Sequence, residues 1–173
     1  HLNWDANDSS WNGNNGTATN VPYVAWINGS GAASFWWTSK IVIWDVMTET
    51  GGNPFTISFW VNYSMGAANW WMVSKIWNVN YKGYAVYHDS GTQKIYLMLA
   101  RNPEGHYCAS RFPITINDGK WHHVVVTYAW DRNATNITWY IDWVQQAMVV
   151  TNNDLTEDIS TTDNFCIGCR NSV

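Results

Sequence analysis

The sequence predicts an all-β fold, a two-sheet antiparallel β-sandwich or jelly roll, and three observations lead to it. Hydrophobic and polar residues alternate with a period of two, whereas the helical period of 3.6 is nearly absent. The alternating segments are short and rich in Val, Ile, Thr and Tyr, residues favoured in strands. Clusters of Asn, Asp and Gly, which favour turns, separate them. Short strands at this spacing are typical of sandwiches and jelly rolls, whereas a parallel α/β sheet would need long helices between strands.

In chain order, the first thirty residues are rich in Asn, Gly and Ser, and we expect them to form an ordered loop. The clearest strand is 55–62, where Phe55, Ile57, Phe59 and Val61 share one face. No linker or internal repeat divides the chain, so we expect residues 1–173 to form a single domain. The other predicted strands are Lys40–Ile43, Met72–Ile76, Gly83–His88, Lys94–Ala100, Tyr107–Pro113, Trp121–Tyr128, Asn136–Ile141, Gln145–Val150 and Asn164–Ile167.

Composition narrows the classes of function. The chain has 173 residues, of which 46% are hydrophobic, so an ordered globular domain is expected. The formal net charge of -4 argues against a nucleic-acid partner, which usually requires a basic face. No apolar run approaches the roughly 18 residues of a membrane helix, so we expect no membrane insertion by this segment.

The three cysteines are Cys108, Cys166 and Cys169, and the last two form a C-x-x-C sequence. A zinc site needs about four ligands, and a second such pair is missing from the sequence. Either one disulfide with one free thiol, or three free thiols, fits this pattern. Residues three apart on one strand point to opposite faces, so a disulfide is expected to join Cys108 to Cys166 or Cys169.

Several segments in order along the chain resemble a known family. The strongest is Asp118-Gly119-Lys120-Trp121-His122-His123-Val124, followed by Trp139-Tyr140-Ile141-Asp142; others lie at 8–17, 31–35, 55–61, 83–84 and 167–168. Together they resemble the laminin-G-like jelly rolls of the concanavalin A-like lectin/glucanase superfamily. This resemblance implies one concave and one convex antiparallel sheet. It also implies binding of glycans or proteins, in many cases with one structural calcium ion.

Fourteen residues are Trp, and most of them stand where turn chemistry or the family pattern favours glycine. Trp60 and Trp121 match tryptophans of the family. Asp142-Trp143 lies between two strands, where Asp-Gly would form a primed hairpin turn with φ > 0. Asn69-Trp70-Trp71 is interpreted as a loop Asn-Gly-Gly. The twelve atypical tryptophans are Trp4, Trp11, Trp26, Trp36, Trp37, Trp44, Trp70, Trp71, Trp77, Trp130, Trp139 and Trp143, of which Trp139 is the weakest case.

Three interpretations of these tryptophans are open. Some bacterial lineages read the UGA codon as glycine, and a translation that reads UGA as Trp would write Trp at just such positions. We favour this hypothesis because a non-glycine residue in left-handed geometry costs about 1–2 kcal/mol. Alternatively, Trp36-Trp37 and Trp70-Trp71 are platforms that stack on sugars. In the third interpretation, the tryptophans are ordinary core and surface residues.

The sequence predicts no catalysis. Glycosidases need two carboxylates, and the resemblance implies that catalytic members carry them on one strand as Glu-x-Asp-x-(x)-Glu. The three glutamates, Glu49, Glu104 and Glu157, lie far apart, and none begins that pattern. Adjacent residues of a strand face opposite sides, so His122 and His123 are expected to serve packing and hydrogen bonding rather than share a metal.

Two kinds of site are predicted. Calcium prefers carboxylate and amide oxygens, and the resemblance implies a cation near the meeting of the chain ends. There the N-terminal loop with Asp5, Asp8 and Asn14 is expected to share it with Asp163, although Asn and Asp also serve turns. A glycan site is expected on the concave face or its rim loops, including the loop around Asn69. Its candidate residues are His88, Arg101, Tyr107, Arg111 and Trp71.

The sequence therefore predicts a non-catalytic glycan-binding or adhesion module of a bacterial surface protein. We expect it to be the extracellular, cell-surface portion of a larger protein or filament, with a glycan or a cell-surface protein as partner. The alternative is a structural or protein–protein interaction domain of a pilus or surface filament, without a sugar ligand.

Overall fold

The computed structural model describes residues 4–26, 29–44, 46, 54–64, 68–76, 81–101, 106–129 and 131–170. Within these residues the chain forms fourteen β-strands and one short 3-10 turn, Ala134–Asn136, and every strand pairing is antiparallel. The strands are β1 (Thr17–Thr19), β2 (Tyr23–Ala25), β3 (Gly31–Ala33), β4 (Lys40–Ile43), β5 (Phe55–Asn62), β6 (Trp70–Ile76), β7 (Gly83–Asp89), β8 (Lys94–Ala100), β9 (Tyr107–Arg111), β10 (Trp121–Tyr128), β11 (Thr138–Ile141), β12 (Val144–Gln146), β13 (Val149–Asn153) and β14 (Phe165–Ile167).

Two sheets pack face to face, as the all-β prediction requires. The large sheet has the order β1-β4-β14-β6-β7-β8-β9-β13, and the small sheet has the order β12-β11-β10-β5. Strands β2 and β3 form a separate pair. The core between the sheets takes Val86, Leu97 and Leu99 from the large sheet and Val124 and Val126 from the small one, all fully buried.

Four of the predicted strands agree with the structure at both ends. Strands 40–43, 55–62, 94–100 and 121–128 have the expected bounds. The predicted strand 145–150 is wrong, because the chain leaves the small sheet after Gln146 and enters the large sheet at Val149. The N-terminal loop is likewise interrupted by β1 and β2.

The segment 69–71 is not the expected Asn-Gly-Gly loop. Trp70 and Trp71 begin β6, where they pair with His88 and Tyr87 of β7. The irregularity lies one residue later, since the register shifts between Trp71 and Val73. Both tryptophans therefore have strand backbones rather than turn backbones.

The disulfide joins Cys166 to Cys169, and buried Cys108 is a free thiol. The expected pairing of Cys108 is wrong because β14 ends at Ile167. Gly168 follows with φ of +77°, a conformation that favours glycine, and it turns the chain. The Cα atoms of the two cysteines are thereby 5.7 Å apart, within the range that a disulfide spans.

Backbone geometry divides the atypical tryptophans. Trp4, Trp11 and Trp143 have φ of 71°, 67° and 68°, in the left-handed region, where a bulky residue is strained. Asp142 and Trp143 form the two-residue turn between β11 and β12, with φ positive at both positions, as the sequence predicted. In contrast, Trp139 is fully buried, and its Nε1 donates a hydrogen bond to Ser110 Oγ at 3.0 Å. Trp77 and Trp130 lie outside the described residues.

None of the helical structure in the described residues is long and apolar enough to cross a membrane.

Candidate binding face

The outer face of the large sheet carries a line of aromatic and cationic side chains. Register places Trp71 (β6) beside Tyr87 (β7), Tyr87 beside Tyr96 (β8), and Tyr96 beside Arg111 (β9). Since side chains alternate across a strand, all four lie on the face opposite to core residues such as Val86. The line crosses four adjacent strands, or about 14 Å at the usual strand spacing of about 4.8 Å.

These side chains form one continuous stack, which we call the outer row. The rings of Trp71 and Tyr87 are stacked with centroids 4.9 Å apart, and those of Tyr87 and Tyr96 are 5.5 Å apart. At each end of the outer row, the guanidinium group of an arginine packs over the terminal ring. Arg170 lies 5.0 Å from the Trp71 ring centroid, and Arg111 lies 5.9 Å from that of Tyr96.

Because the rings face one another, the outer row offers a ligand its edges rather than its faces. Tyr96 is 8% exposed, while Trp71, Tyr87 and the two arginines are half-buried. Burial, together with the nearby negative charge of Asp89, raises the pKa of the Tyr87 hydroxyl well above its ordinary value of 10. This hydroxyl therefore stays protonated, and able to donate a hydrogen bond, at neutral pH.

Smaller side chains lie beside the outer row. Ser74, Ala85, Met98 and Ala109 are aligned on the same face by the strand register. Ser74, Ala85 and Ala109 are buried, and the Ser74 hydroxyl donates to the Cys169 carbonyl, so this part of the face is covered by neighbouring side chains and by the segment after β14. Tyr107 pairs with Ala100 and packs, like Met98, against the outer cluster of Ile76, Ala85 and Ala100.

The sequence comparison identifies the fold family. Residues 38–172 match the Laminin_G_3 family, described as Concanavalin A-like lectin/glucanases superfamily. The chain belongs to this superfamily. Among curated proteins, none matches the chain in sequence.

Solved structures of this superfamily's fold are similar in shape and remote in sequence. One is a structure of botulinum neurotoxin type C, whose cell entry is described as dependent on interaction with two ganglioside molecules. It is 15% identical with a TM-score of 0.61, and the match covers 90% of this chain and 38% of that one. A second is the binding domain of botulinum neurotoxin DC in complex with SialylT, with 15% identity, a TM-score of 0.61 and coverages of 90% and 39%. This chain thus spans about two-fifths of each.

A third similar structure is the carbohydrate-binding module CBM66 from Bacillus subtilis. It is 17% identical with a TM-score of 0.41, and the match covers 88% of this chain and 87% of that one.

Other residues that the sequence predicts for the glycan site, His88, Arg101 and Asn69, lie apart from the outer row. His88 is completely buried on the opposite side of β7, where its ring packs 5.3 Å from Tyr63. It does not face the row, because it is one residue from Tyr87 on the same strand. Arg101 forms an ion pair with Glu157, at 2.5 Å between Nη2 and Oε2. Asn69 accepts a hydrogen bond from the Ser90 backbone and so ties two loops together.

The predicted cation ligands serve local turns. Asp5 accepts two hydrogen bonds from Asn7, while Asp8 accepts from the backbone and hydroxyl of Ser10 and from the backbone of Asn14. These bonds lower the pKa of Asp8. Asp163 accepts at its carboxylate from Thr161 and at its carbonyl from Lys75. In the part of the chain that the structure describes, no three His, Cys, Asp or Glu side chains are grouped as metal ligands. A calcium site that also uses Asn14 and backbone carbonyl oxygens stays a prediction.

Two further clusters occupy the small sheet and its turns. His122 lies between two carboxylates, with Nδ1 2.8 Å from Asp142 Oδ2 and Nε2 3.1 Å from Asp118 Oδ1. Asp142 also accepts from the His123 backbone at 2.9 Å, so this His122 clamp fixes the β11–β12 turn to β10. The hydrogen bonding expected for His122 is thus present.

On the outer face of the small sheet, Trp60 is the centre of an aromatic cluster. Its ring lies 5.1 to 5.6 Å from those of His123, Trp143 and Trp26, and Trp121 contacts Trp26. Two of its members, Trp26 and Trp143, belong to the twelve atypical tryptophans.

Proposed function

We propose that this chain is a non-catalytic glycan-binding module and that its ligand lies across the outer row. The observation that carries the proposal is the continuous stack Trp71–Tyr87–Tyr96 between two arginines. Such a row is rigid before the ligand arrives, so binding costs little side-chain entropy. Tyrosine hydroxyls and guanidinium N–H groups at its rim match the dense hydroxyl groups of a sugar.

Three further observations support this proposal. The superfamily contains lectins, and the solved structures similar in fold include domains described in complex with, or dependent on, glycans. Glu157 is held by Arg101, which disfavours it as a catalytic acid. Glu49 and Glu104 lie outside the described residues.

The cell-surface location belongs to the same proposal. The disulfide Cys166–Cys169 supports it, because disulfides persist in oxidising environments outside the cytosol. We further propose that the domain works as part of a larger bacterial surface protein or filament.

A glycan array followed by titration calorimetry tests the proposal. We expect Tyr87→Ala to abolish binding, because it removes the middle of the stack, and Tyr87→Phe to weaken it by loss of the hydroxyl alone. Trp36→Ala is the matched control, since Trp36 is an aromatic that is 65% exposed and outside the row. Failure of every saccharide to bind, or equal effects of Tyr87→Ala and Trp36→Ala, would contradict the proposal.

The aromatic cluster around Trp60 favours a second candidate, a structural or protein–protein interaction domain. Trp60 is 36% exposed and Trp143 is 70% exposed, and exposed aromatic patches often mark protein contacts. In that case Trp60→Ala would disrupt assembly with the partner protein, whereas Tyr87→Ala would not.

A further inference from the structure

The charges at the ends of the outer row define the class of saccharide, and this inference rests on the proposed function. Within the described residues, neither Arg111 nor Arg170 forms an ion pair with a carboxylate, although Arg101 does. Nε of Arg111 and both Nε and Nη2 of Arg170 are shielded from water without a hydrogen-bond acceptor among these residues. Shielded guanidinium N–H groups without acceptors are costly. Because these three atoms are closed to a ligand as well as to water, an anion has to contact the remaining guanidinium N–H groups, at Nη1 and Nη2 of Arg111 and at Nη1 of Arg170.

Both guanidinium groups are held in place by aromatic rings rather than by acids. Arg170 lies over Tyr81 at 4.1 Å as well as over Trp71 at 5.0 Å. Arg111 lies over Tyr96. Stacking fixes the plane of a guanidinium. The Nη1–Nη2 edge of Arg111 can bind a planar anion with two hydrogen bonds, whereas Arg170 can offer Nη1 for one.

The nearest acidic residue on the row is already engaged. Asp89 lies at the end of β7, and its Oδ1 accepts from the backbone and hydroxyl of Thr92 at 2.8 and 2.9 Å. The whole chain has a net charge of -4, so attraction of an anion depends on local cations rather than on overall charge. Besides the two arginines, these include Lys94, which lies two residues before Tyr96 on β8 and donates to Thr115 Oγ1.

We infer that the outer row binds an acidic saccharide whose sugar rings carry carboxylate groups, such as a uronate or sialic acid chain. The carboxylates pair with Arg111 and Arg170, and the sugar between them contacts the edges of Tyr87 and Trp71. Because carboxylates and tetrahedral oxyanions can both accept two hydrogen bonds from a guanidinium fork, a sulfated polymer is the competing ligand.

The test compares ligands that differ only in charge. Oligogalacturonate and its methyl ester share one backbone, and sialyllactose and lactose differ by the acidic residue. We expect the acidic member of each pair to bind at least about tenfold more tightly, as charged hydrogen bonds imply, and to weaken with added salt. Equal affinity for both members of a pair, or failure of all four ligands to bind, overturns the inference. Either result leaves the proposed function to the glycan array, which contradicts it only when no saccharide binds.

Arginine variants test whether Arg111 and Arg170 cause the preference for acidic ligands. Arg111→Gln and Arg170→Gln should each reduce affinity for oligogalacturonate by about tenfold or more, while affinity for the methyl ester stays unchanged. Lys120→Gln is the matched control for loss of one positive charge, since Lys120 pairs with Asp118 away from the row. Arg111→Lys and Arg170→Lys keep the charge and show whether the guanidinium shape matters. Preferred binding of dextran sulfate, or equal losses in Lys120→Gln, overturns the inference.

Discussion

Trp11 has a left-handed backbone with φ of 67°, and its indole ring is 99% exposed. No packing offsets the strain at such a position, because a fully exposed ring has no neighbours to contact. Trp4 and Trp143 share this backbone geometry. At Trp71 and Trp139, by contrast, the backbone is that of a strand, and the rings stack on Tyr87 or fill the core. Glycine would adopt the left-handed backbone of Trp4, Trp11 and Trp143 without strain, whereas Trp139 fits its strand position as it stands.

We expect Trp11→Gly to stabilise the domain. Relief of left-handed strain contributes about 1–2 kcal/mol, which corresponds to a rise of about 2–4 °C in Tm per kcal/mol for a chain of this size. Thermal unfolding followed by circular dichroism measures it. Trp36→Gly is the control, because Trp36 is also exposed but has an ordinary φ. A lower Tm for Trp11→Gly would contradict the prediction.

The codons at the twelve atypical positions test the recoding hypothesis itself. We expect UGA at Trp4, Trp11 and Trp143, and UGG at Trp60 and Trp121. The intact mass of protein from its natural source should then be lower than the printed sequence by one Trp-to-Gly difference for each recoded position. UGG at all fourteen positions would rule the hypothesis out.

Trp139 is the contrasting case among the twelve, because it fills the core. We expect Trp139→Ala to lower the free energy of unfolding by about 3–5 kcal/mol.

At the scale of the elements, the His122 clamp ties β10 to the β11–β12 turn through Asp142 and to the preceding loop through Asp118. Desolvation opposes the charge on His122, but the hydrogen bonds and negative charges of Asp142 and Asp118 outweigh it and raise the His122 pKa above 6.5. The pKa of Asp118 falls below 3.8, mainly through its hydrogen bond from the Lys120 backbone and then that from His122. Asp142 is partly desolvated, yet its hydrogen bonds from His122 and His123 lower its pKa as well.

Stability should therefore depend on pH through this clamp. The part due to charged His122 is complete below pH 6.5 and is lost as the pH rises through the raised pKa. The part due to Asp118 and Asp142 is complete above pH 3.8 and is lost as the pH falls through their lowered pKa values. We expect urea unfolding to show a modest decrease in stability above neutral pH that His122→Asn removes and His106→Asn retains. A pH profile unchanged in His122→Asn would contradict the role of the clamp.

The cysteines give a second prediction at this scale. Cys108 is completely buried, its Sγ lies 3.2 Å from the Arg132 carbonyl, and burial raises the pKa of its thiol. We expect a thiol reagent to label no cysteine of the native protein and Cys108 alone after denaturation without reductant. Peptide mapping identifies the labelled residue. Label on Cys166 or Cys169 would instead indicate the pairing that the sequence suggested.

A strand can be predicted from the sequence when its own side-chain pattern determines it, and not when its position depends on distant segments. Burial alternates with a period of two along 55–62 and along 124–128 of β10, so the side-chain pattern is sufficient to predict both strands. The disulfide could not be predicted, since it depends on where β14 ends and on the left-handed Gly168. The passage from β12 to β13 was missed because hydrophobicity alone does not tell which sheet a strand joins.

At the scale of the whole molecule, the candidate face could be predicted only in part. Trp71 and Arg111 were found as candidates because aromatic and cationic residues suit sugars. Tyr87 and Tyr96 were missed, although each alternates with core residues of its strand, which was a usable signal. Which residues stack across four strands depends on register, and register between strands distant in sequence cannot be derived from one chain.

The predicted calcium site concerns the whole molecule, because its ligands come from the N-terminal loop and from Asp163, far apart in sequence. A cation shared by Asp5, Asp8, Asn14 and Asp163 requires that Tm falls when a chelator is added. The hydrogen bonds of Asp8 favour the turn role instead, and with it we expect the same Tm in calcium and in chelator. Asp8→Asn should then lower Tm equally in both solutions, and a calcium-dependent rise lost in Asp8→Asn would restore the cation site.

Strand β14, near the end of the sequence, lies between β4 and β6 in the large sheet. Gly168 donates to the Met72 carbonyl, and Ser74 donates to that of Cys169, so this late segment holds an interior place. During synthesis, β1 and β4 have no neighbour on that side until residues 165–167 leave the ribosome. The half-made sheet exposes the edges of β4 and β6 meanwhile, and we expect this unfinished state to be more prone to pairing with other chains than the complete sheet.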